Sequence, residues 1–329
     1  MSHAQYSSRN TVVEGIEVVR LTDAARNVEV SVVPSIGNIA YEMKVNGKNV
    51  FWLPYPTLTE FKKRPSLAGN PFLAPWANRI EGWAFFANGK KYVFDREMGN
   101  VRSDQNGNPI HGLLTFSPLW QVKEVKSDGA AAQVTSRLEF WRYPDLMAQF
   151  PFAHTIEMTY RLAGGTLEVE TRIQNHAAEP MPVAIGYHPY FRVHDAPRDD
   201  WKVHLSARDH LVLSDKLIPT GERKPVAFAY PLPLKGVVLD DVFTSLATNG
   251  QGAEFWVEGA KERVTVTYGQ KYRIAVVYAP AGRNFICFEP MSAPTNAFNL
   301  SHAGTYKGMD SIPPGGEWKE SYWIKASGF

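Results

Sequence analysis

Four short clusters in the chain gather side chains that move protons or hold hydroxyl groups. Pro75-Trp76-Ala77-Asn78-Arg79-Ile80 pairs an amide with a guanidinium. These donors suit vicinal hydroxyls, and Trp76 offers a ring to the apolar face of a pyranose. The ordinary alternative is a core tryptophan beside a surface ion pair. Ile110-His111-Gly112-Leu113 sets an imidazole beside a glycine that lets the backbone turn closely. A histidine held by local backbone bonds is the competing reading. In Gly186-Tyr187-His188-Pro189-Tyr190-Phe191 the proline interrupts ladder pairing just after the histidine, so His188 is expected to project from a strand end among aromatic rings. Those rings serve equally well as a stacking wall or as core. Ile286-Cys287-Phe288-Glu289-Pro290-Met291 repeats the design with a carboxylate at the end of an apolar run. A glutamate among such neighbours is costly to bury unless it is paired or functional.

These clusters need a scaffold, and the hydropathy pattern describes one. Leu167, Val169, Thr171 and Ile173 alternate with Glu168, Glu170, Arg172 and Gln174, and Ile156, Met158, Tyr160 and Leu162 alternate with Thr155, Glu157, Thr159 and Arg161. Period two marks half-buried strands, and Gly164-Gly165 between the runs predicts a hairpin. Val28, Val30 and Val32 repeat the pattern near the start of the chain, and Val264, Val266 and Tyr268 repeat it near the end. Long amphipathic helices are missing; Thr57 to Arg64 is the best short candidate. The 23 prolines and 25 glycines are spread along the chain, as many short strands with many turns require. The expected fold is therefore all-β, a large antiparallel β-sandwich with few short helices, forming a single domain over residues 1–329. Two irregular segments, Pro54 to Ala77 and Met98 to Ile110, are placed to carry binding residues.

Composition excludes several classes. Lys plus Arg total 35 against 33 for Asp plus Glu, a formal charge of +2 with no long run of either sign, which disfavours nucleic acid and membrane partners. A single cysteine, Cys287, allows no internal disulfide and no zinc-type cysteine cluster, and the 9 histidines form no His-Glu-x-x-His pattern, so metal catalysis is not expected. Neither a phosphate-cradling glycine motif nor a Gly-x-Ser-x-Gly elbow is present. The polar N-terminal MSHAQYSSRN and the absence of any run near ~18 apolar residues lead to the expectation of a cytoplasmic protein with a small, uncharged partner.

Asn78-Arg79, His111-Gly112, the His-x-Tyr-Phe run from His188 to Phe191, Leu239-Asp240-Asp241-Val242-Phe243, and Glu289 followed by Pro-Met and later Asn296 resemble, in order and spacing, the aldose 1-epimerases or galactose mutarotases. The resemblance implies a β-sandwich with a sugar cleft on one face and no cofactor. It implies His188 as catalytic acid and Glu289 as catalytic base. Asn78, Arg79, His111 and Asp240 would then hold sugar hydroxyls and the ring oxygen, with Trp76 and Tyr190 as the aromatic contacts. Of the adjacent acids only one faces a cleft, and the resemblance selects Asp240 over Asp241. Tyr187 and Pro189 depart from the common family pattern, so the resemblance carries the reaction type more than the sugar. At neutral pH an ordinary carboxylate is ionised and an imidazole partly protonated, the pairing this chemistry needs. A neighbouring carboxylate is expected to favour the protonated imidazole.

Other readings keep part of the pattern. A glycoside hydrolase would use Asp240 and Glu289 but leave His188 without a role. A noncatalytic sugar-binding sandwich needs neither member of the His188–Glu289 pair. A hexose-6-phosphate 1-epimerase would need a basic phosphate site, for which Lys62-Lys63-Arg64 or Arg192 is available. A monomer and a homodimer are both compatible with an antiparallel sandwich.

Overall fold

The computed structural model describes residues 5–250 and 252–329; positions 1–4 of the polar N-terminal run lie outside them. The predicted hairpin forms as strands His154–Ala163 and Thr166–Asn175, joined by Gly164 and Gly165 at φ 58° and 72°. Two consecutive left-handed residues are what a tight hairpin matching the strand twist requires. The short helix also forms. Leu58–Lys63 is capped by the Thr57 side chain, which accepts from the Glu60 amide at 3.1 Å. It is one of three six-residue α-helices among the described residues, with Pro144–Gln149 and Ala297–His302.

Two large sheets dominate. One has nine strands, with Glu317–Ser327 central between Arg263–Tyr268 and Thr166–Asn175. The other has eight, ordered through Ala207–Leu213, Leu239–Leu246, Ile274–Ala279, Ile286–Met291 and Gly186–Tyr187 to Phe72–Leu73, with Tyr190–Phe191 also paired to Ile286–Met291. A separate five-stranded meander runs from Tyr6–Val13 to Lys48–Asn49. All strand pairs are antiparallel.

The two large sheets face each other across one apolar core. Phe255 of the nine-stranded sheet meets Phe288 of the eight-stranded sheet with ring centroids 6.1 Å apart, and Tyr322 meets Tyr187 at 4.8 Å. Two buried hydroxyls in this interface find partners: Tyr187 with Thr171 Oγ1 at 2.5 Å, and Tyr322 donating to Asn70 Oδ1 at 2.7 Å. Register then fixes what faces away from the core. Asp241 pairs with Val277 and Val277 with Phe288 on the core side. The alternate positions form two rows on the outer face. One row is Asp240, Tyr278, Cys287 and Tyr190; the other is Val242, Val276 and Glu289. A period of two therefore separates core from cleft on the same strands.

Candidate active site

A cleft of about 340 Å³ opens on this outer face, lined by Leu67, Asn78, Arg79, Asp104, Gln105, His111, His188, Tyr190, Leu217, Asp240, Val276, Tyr278 and Glu289. His188 and Glu289 meet within it, Nε2 to Oε1 at 3.3 Å, and their side chains are 8% and 1% exposed. His188 occupies the two-residue gap between Gly186–Tyr187 and Tyr190–Phe191, where its amide donates to the Pro71 carbonyl at 3.0 Å. The strand is interrupted there as the proline demands, and its pairing resumes beyond it. Glu289 differs from expectation. The strand Ile286–Met291 continues through Pro290 to Met291, so Glu289 sits within a strand and not at its end.

The sugar-type donors are placed by backbone kinks. Asn78 and His111 both hold left-handed φ angles, 55° and 62°, and the His111 amide donates to the Asn78 carbonyl at 2.9 Å. The Asn78 Oδ1 accepts from the amide and the Nη1 of Arg79, at 2.9 and 3.0 Å. Arg79 Nε donates to Asp104 Oδ2 at 2.7 Å, which fixes the fork of the guanidinium from one side. Burial works against the Asp104 charge, yet amides of Asn108 and Asn106 together with Arg79 hold its carboxyl below the usual value. Behind Arg79, its carbonyl accepts from the Asn296 amide at 2.8 Å, tying this segment to the start of helix Ala297–His302.

Aromatic rings form one side of the cleft. Tyr190 stacks on His188 with centroids 4.7 Å apart and planes 3° from parallel, and His111 stands edge-on to His188 at 5.4 Å. Phe285 and Trp52 support Tyr190 from behind at 4.9 and 5.6 Å. The other aromatic expectations divide. Tyr187 and Phe191 are core residues. Trp76 is corrected: it is 1% exposed, packs on Phe94 at 4.8 Å and bridges Ala184, so it is a core residue and not a cleft wall. The left-handed turn at Asn78 redirects the chain two residues later, which is how Trp76 and Arg79 come to face different surroundings.

Electrostatics correct a further expectation. Burial pushes the Glu289 carboxyl well above its ordinary range; the Asp240 charge adds to this and Arg79 opposes it. Burial also pushes His188 down to about 3, against a backbone hydrogen bond that favours the charged ring, and the Arg102 and Arg79 cations lower it further. A nearby carboxylate does not keep His188 charged here, because the same desolvation that disfavours imidazolium disfavours the carboxylate that would stabilise it. Both shifts favour the neutral forms of the two groups. His111 is likewise held well below its usual value, by burial and then by His188, Arg102 and Arg79. Asp240 lines the cleft while remaining open to solvent; the protein packed around it still raises its carboxyl, with Arg79 opposing and Asp241 adding.

Asn78, Arg79, His111, His188, Tyr190, Asp240 and Glu289 are thus brought to one cleft, and Trp76 is not. Asp104, Gln105, Leu67, Leu217 and Tyr278 line it without having been singled out. Leu67 falls in the irregular segment Pro54 to Ala77, and Asp104 and Gln105 fall in the irregular segment Met98 to Ile110, the two segments expected to carry binding residues. Arg192 and the exposed Lys62-Lys63-Arg64 run are absent from the lining.

Comparison with known proteins follows the same line. A family model described as Aldose 1-epimerase matches residues 17–325. Galactose mutarotase from Homo sapiens is 30% identical over 210 residues, 61% of this chain and 56% of that protein, so the chain spans little more than half the length of this curated relative. Among solved structures, a galactose mutarotase-like protein from Clostridium acetobutylicum gives a TM-score of 0.87 at 21% identity, covering 99% of this chain and 100% of that one. Galactose 1-epimerase from Lactobacillus acidophilus gives 0.77 at 16% identity, covering 99% of each chain. The two structural likenesses are likenesses of fold.

Proposed function

The chain belongs to the aldose 1-epimerase family, and from that membership we propose that it interconverts the α and β anomers of a free aldohexose such as galactose or glucose. The observation that carries the reading is the His188–Glu289 contact of 3.3 Å, buried at a cleft otherwise lined by hydroxyl-binding donors and acceptors. Mutarotation removes the proton from the C1 hydroxyl while the ring oxygen gains one, so the C1–O5 bond opens to an aldehyde. Rotation about C1–C2 presents the other face, and closure reverses both proton transfers. One group must accept while the other donates. A pair holding one proton between them satisfies this.

In this reading Glu289 takes the C1 hydroxyl proton and His188 protonates the ring oxygen. Sugar hydroxyls donating to the carboxylate favour its ionised form, which moves the shared proton across the short contact onto His188. Arg79, held by Asp104, and His111 stabilise charge developing on oxygen. Tyr190 supplies an aromatic surface for the sugar, and Asp240 and Asn78 bind hydroxyls. One domain suffices, since a continuous core links both large sheets and the N-terminal meander.

Charge favours a free sugar over a phosphorylated one. The lining carries the carboxyl groups of Asp104, Asp240 and Glu289 against one guanidinium, and that guanidinium is engaged by Asp104. A sugar phosphate would find no unpaired cation in that lining, because Arg79 is already held by Asp104. A noncatalytic binding protein has no use for burying an acid and a base against each other.

Polarimetry of freshly dissolved α-D-galactose and α-D-glucose tests the proposal with wild type, Glu289→Gln and His188→Asn, each checked for folding. Wild type is expected to speed the approach to anomeric equilibrium, and each substitution to lower that rate by about 10²–10⁴-fold. A wild-type curve matching buffer for both sugars would overturn the reading.

A further inference from the structure

Cys287 has no part in ring opening, yet it lies in the same assembly. Its sulfur, a ring nitrogen of His188 and a carboxylate oxygen of Glu289 all lie within 4.8 Å of one another, and all three residues are buried. Cys287 and Glu289 share a face because they are two residues apart on Ile286–Met291, and His188 lies beside them from the interrupted neighbouring strand. Two buried polar atoms there have no hydrogen-bond partner, His188 Nδ1 and Glu289 Oε2. The unpartnered Glu289 oxygen leaves its carboxyl free to turn toward a ligand.

We propose that His188, Cys287 and Glu289 form a zinc site at the floor of the cleft, and that zinc bound there blocks sugar turnover. The donor set matches the metal. Sulfur, imidazole nitrogen and carboxylate oxygen are the three ligand types zinc takes, and three protein ligands leave a fourth position open. Zinc bond lengths of about 2.0–2.3 Å in tetrahedral geometry put neighbouring donors about 3.3–3.6 Å apart. The His188–Glu289 edge of 3.3 Å already has this length. The sulfur has at most about 1.2 Å to travel, which a side-chain rotation provides. Charge matches as well: a thiolate, a carboxylate and a neutral imidazole neutralise a dication in a buried place. On binding, the thiol proton and the proton shared by Glu289 and His188 both leave for solvent, so binding strengthens as pH rises. No spacing motif announces this site, because its ligands converge from one strand and from the gap in its neighbour and not from one helix or knuckle.

The metal site stands apart from the sugar reaction and only its inhibitory consequence rests on that proposal, so the test separates them. Cobalt(II) added to wild-type protein is expected to give the near-ultraviolet thiolate charge-transfer band, absent in Cys287→Ser and Cys287→Ala. Zinc is expected to inhibit mutarotation by wild type, with excess sugar relieving it. Each Cys287 variant should need on the order of tenfold more zinc or higher, measured against its own zinc-free rate. No thiolate band in wild type, or a band unchanged in both variants, overturns the site. If neither variant folds, X-ray absorption of the zinc-loaded wild type decides: one sulfur at about 2.3 Å supports the assignment, and only nitrogen and oxygen neighbours refute it.

Discussion

Gly112→Ala tests whether the cleft depends on one close backbone crossing. Gly112 has φ +65°, and a Cβ there would lie 2.1 Å from the Ala74 carbonyl oxygen, 2.4 Å from its carbon and 3.0 Å from Pro75 N. All three are backbone atoms, so the clash is relieved only by moving one chain away from the other. Restoring an ordinary contact requires about 1 Å of separation between the segment leading to Asn78 and Arg79 and the segment carrying His111. That movement strains two hydrogen bonds, from the Leu113 and Leu114 amides to the Ala74 carbonyl at 2.8 and 3.1 Å. Each contributes about 1 kcal/mol, and a left-handed alanine adds about 1–2 kcal/mol. The expected loss is therefore about 3–4 kcal/mol in urea unfolding, with kcat/KM down about 10²-fold from the displaced donors. Gly107→Ala is the control. Its φ is +75° and nothing lies within 4 Å of the added carbon, so only the cost of the left-handed backbone, about 1–2 kcal/mol, applies. Equal stability and equal kcat/KM for the two variants would refute the argument, because they share backbone strain and differ only in the clash.

Three further outcomes are expected. Asp104→Asn keeps a side chain able to accept from the Asn106 and Asn108 amides but removes the negative charge that holds Arg79, so KM for the sugar should rise about 10–100-fold, matching the roughly 1.5–3 kcal/mol of a charge-assisted bond, with a smaller change in kcat; an unchanged KM refutes the positioning of Arg79 by Asp104. The pH profile of kcat/KM, corrected for buffer catalysis, should show its acid limb well below the ordinary imidazole value of 6.5. The singly protonated pair forms when the doubly protonated one loses the His188 proton at about 3, and it persists until Glu289 ionises at its raised value, so activity survives at pH 5 and declines on the alkaline side. Loss of activity on falling from pH 7 to 5 would refute this. Trp76→Phe should lower the unfolding midpoint while leaving KM unchanged, and Trp76→Ala should cost about 3–5 kcal/mol; a large rise in KM with stability intact would return Trp76 to the sugar.

Strands and site were legible in the sequence to different depths, for identifiable reasons. The hairpin of His154–Ala163 and Thr166–Asn175 was readable because alternation and a Gly-Gly turn are local signals. His188 was readable because Pro189 interrupts pairing beside it. The placement of Glu289 was not, since apolar residues on each side of the Glu289-Pro290 pair read the same whether the strand stops or continues; only the pairing of Glu289 with Val276 and of Pro290 with Ala275 on the next strand decides. Asp104 escaped because its role arises from a partner 25 residues away, Arg79, across two loops. Tyr278 looked like one more strand aromatic, and only register with Asp240 and Cys287 turns it toward the cleft. Trp76 lies two residues before the left-handed kink at Asn78, so its nearness in sequence to Arg79 does not carry it into the cleft.

The buried acid–base pair also explains why a sheet is a good place for this reaction. Mutarotation has no preferred direction, so a group fixed as permanent acid would serve one direction and obstruct the other. In the cleft the same burial raises Glu289 and lowers His188, which penalises the states with two protons or with none. What remains is one proton and two places for it, 3.3 Å apart. Rigid register keeps that distance, because Glu289 is fixed within a strand paired on its Val276 side and His188 is held between two strand segments by the Pro71 carbonyl. In the proposed reaction the sugar then determines where the proton goes, through the hydroxyls it brings. A loop-borne pair would relax apart and admit water to each partner, and each would return toward its ordinary pKa. Burial on the outer face of a sheet thus supplies the exchange of roles that the two anomers require.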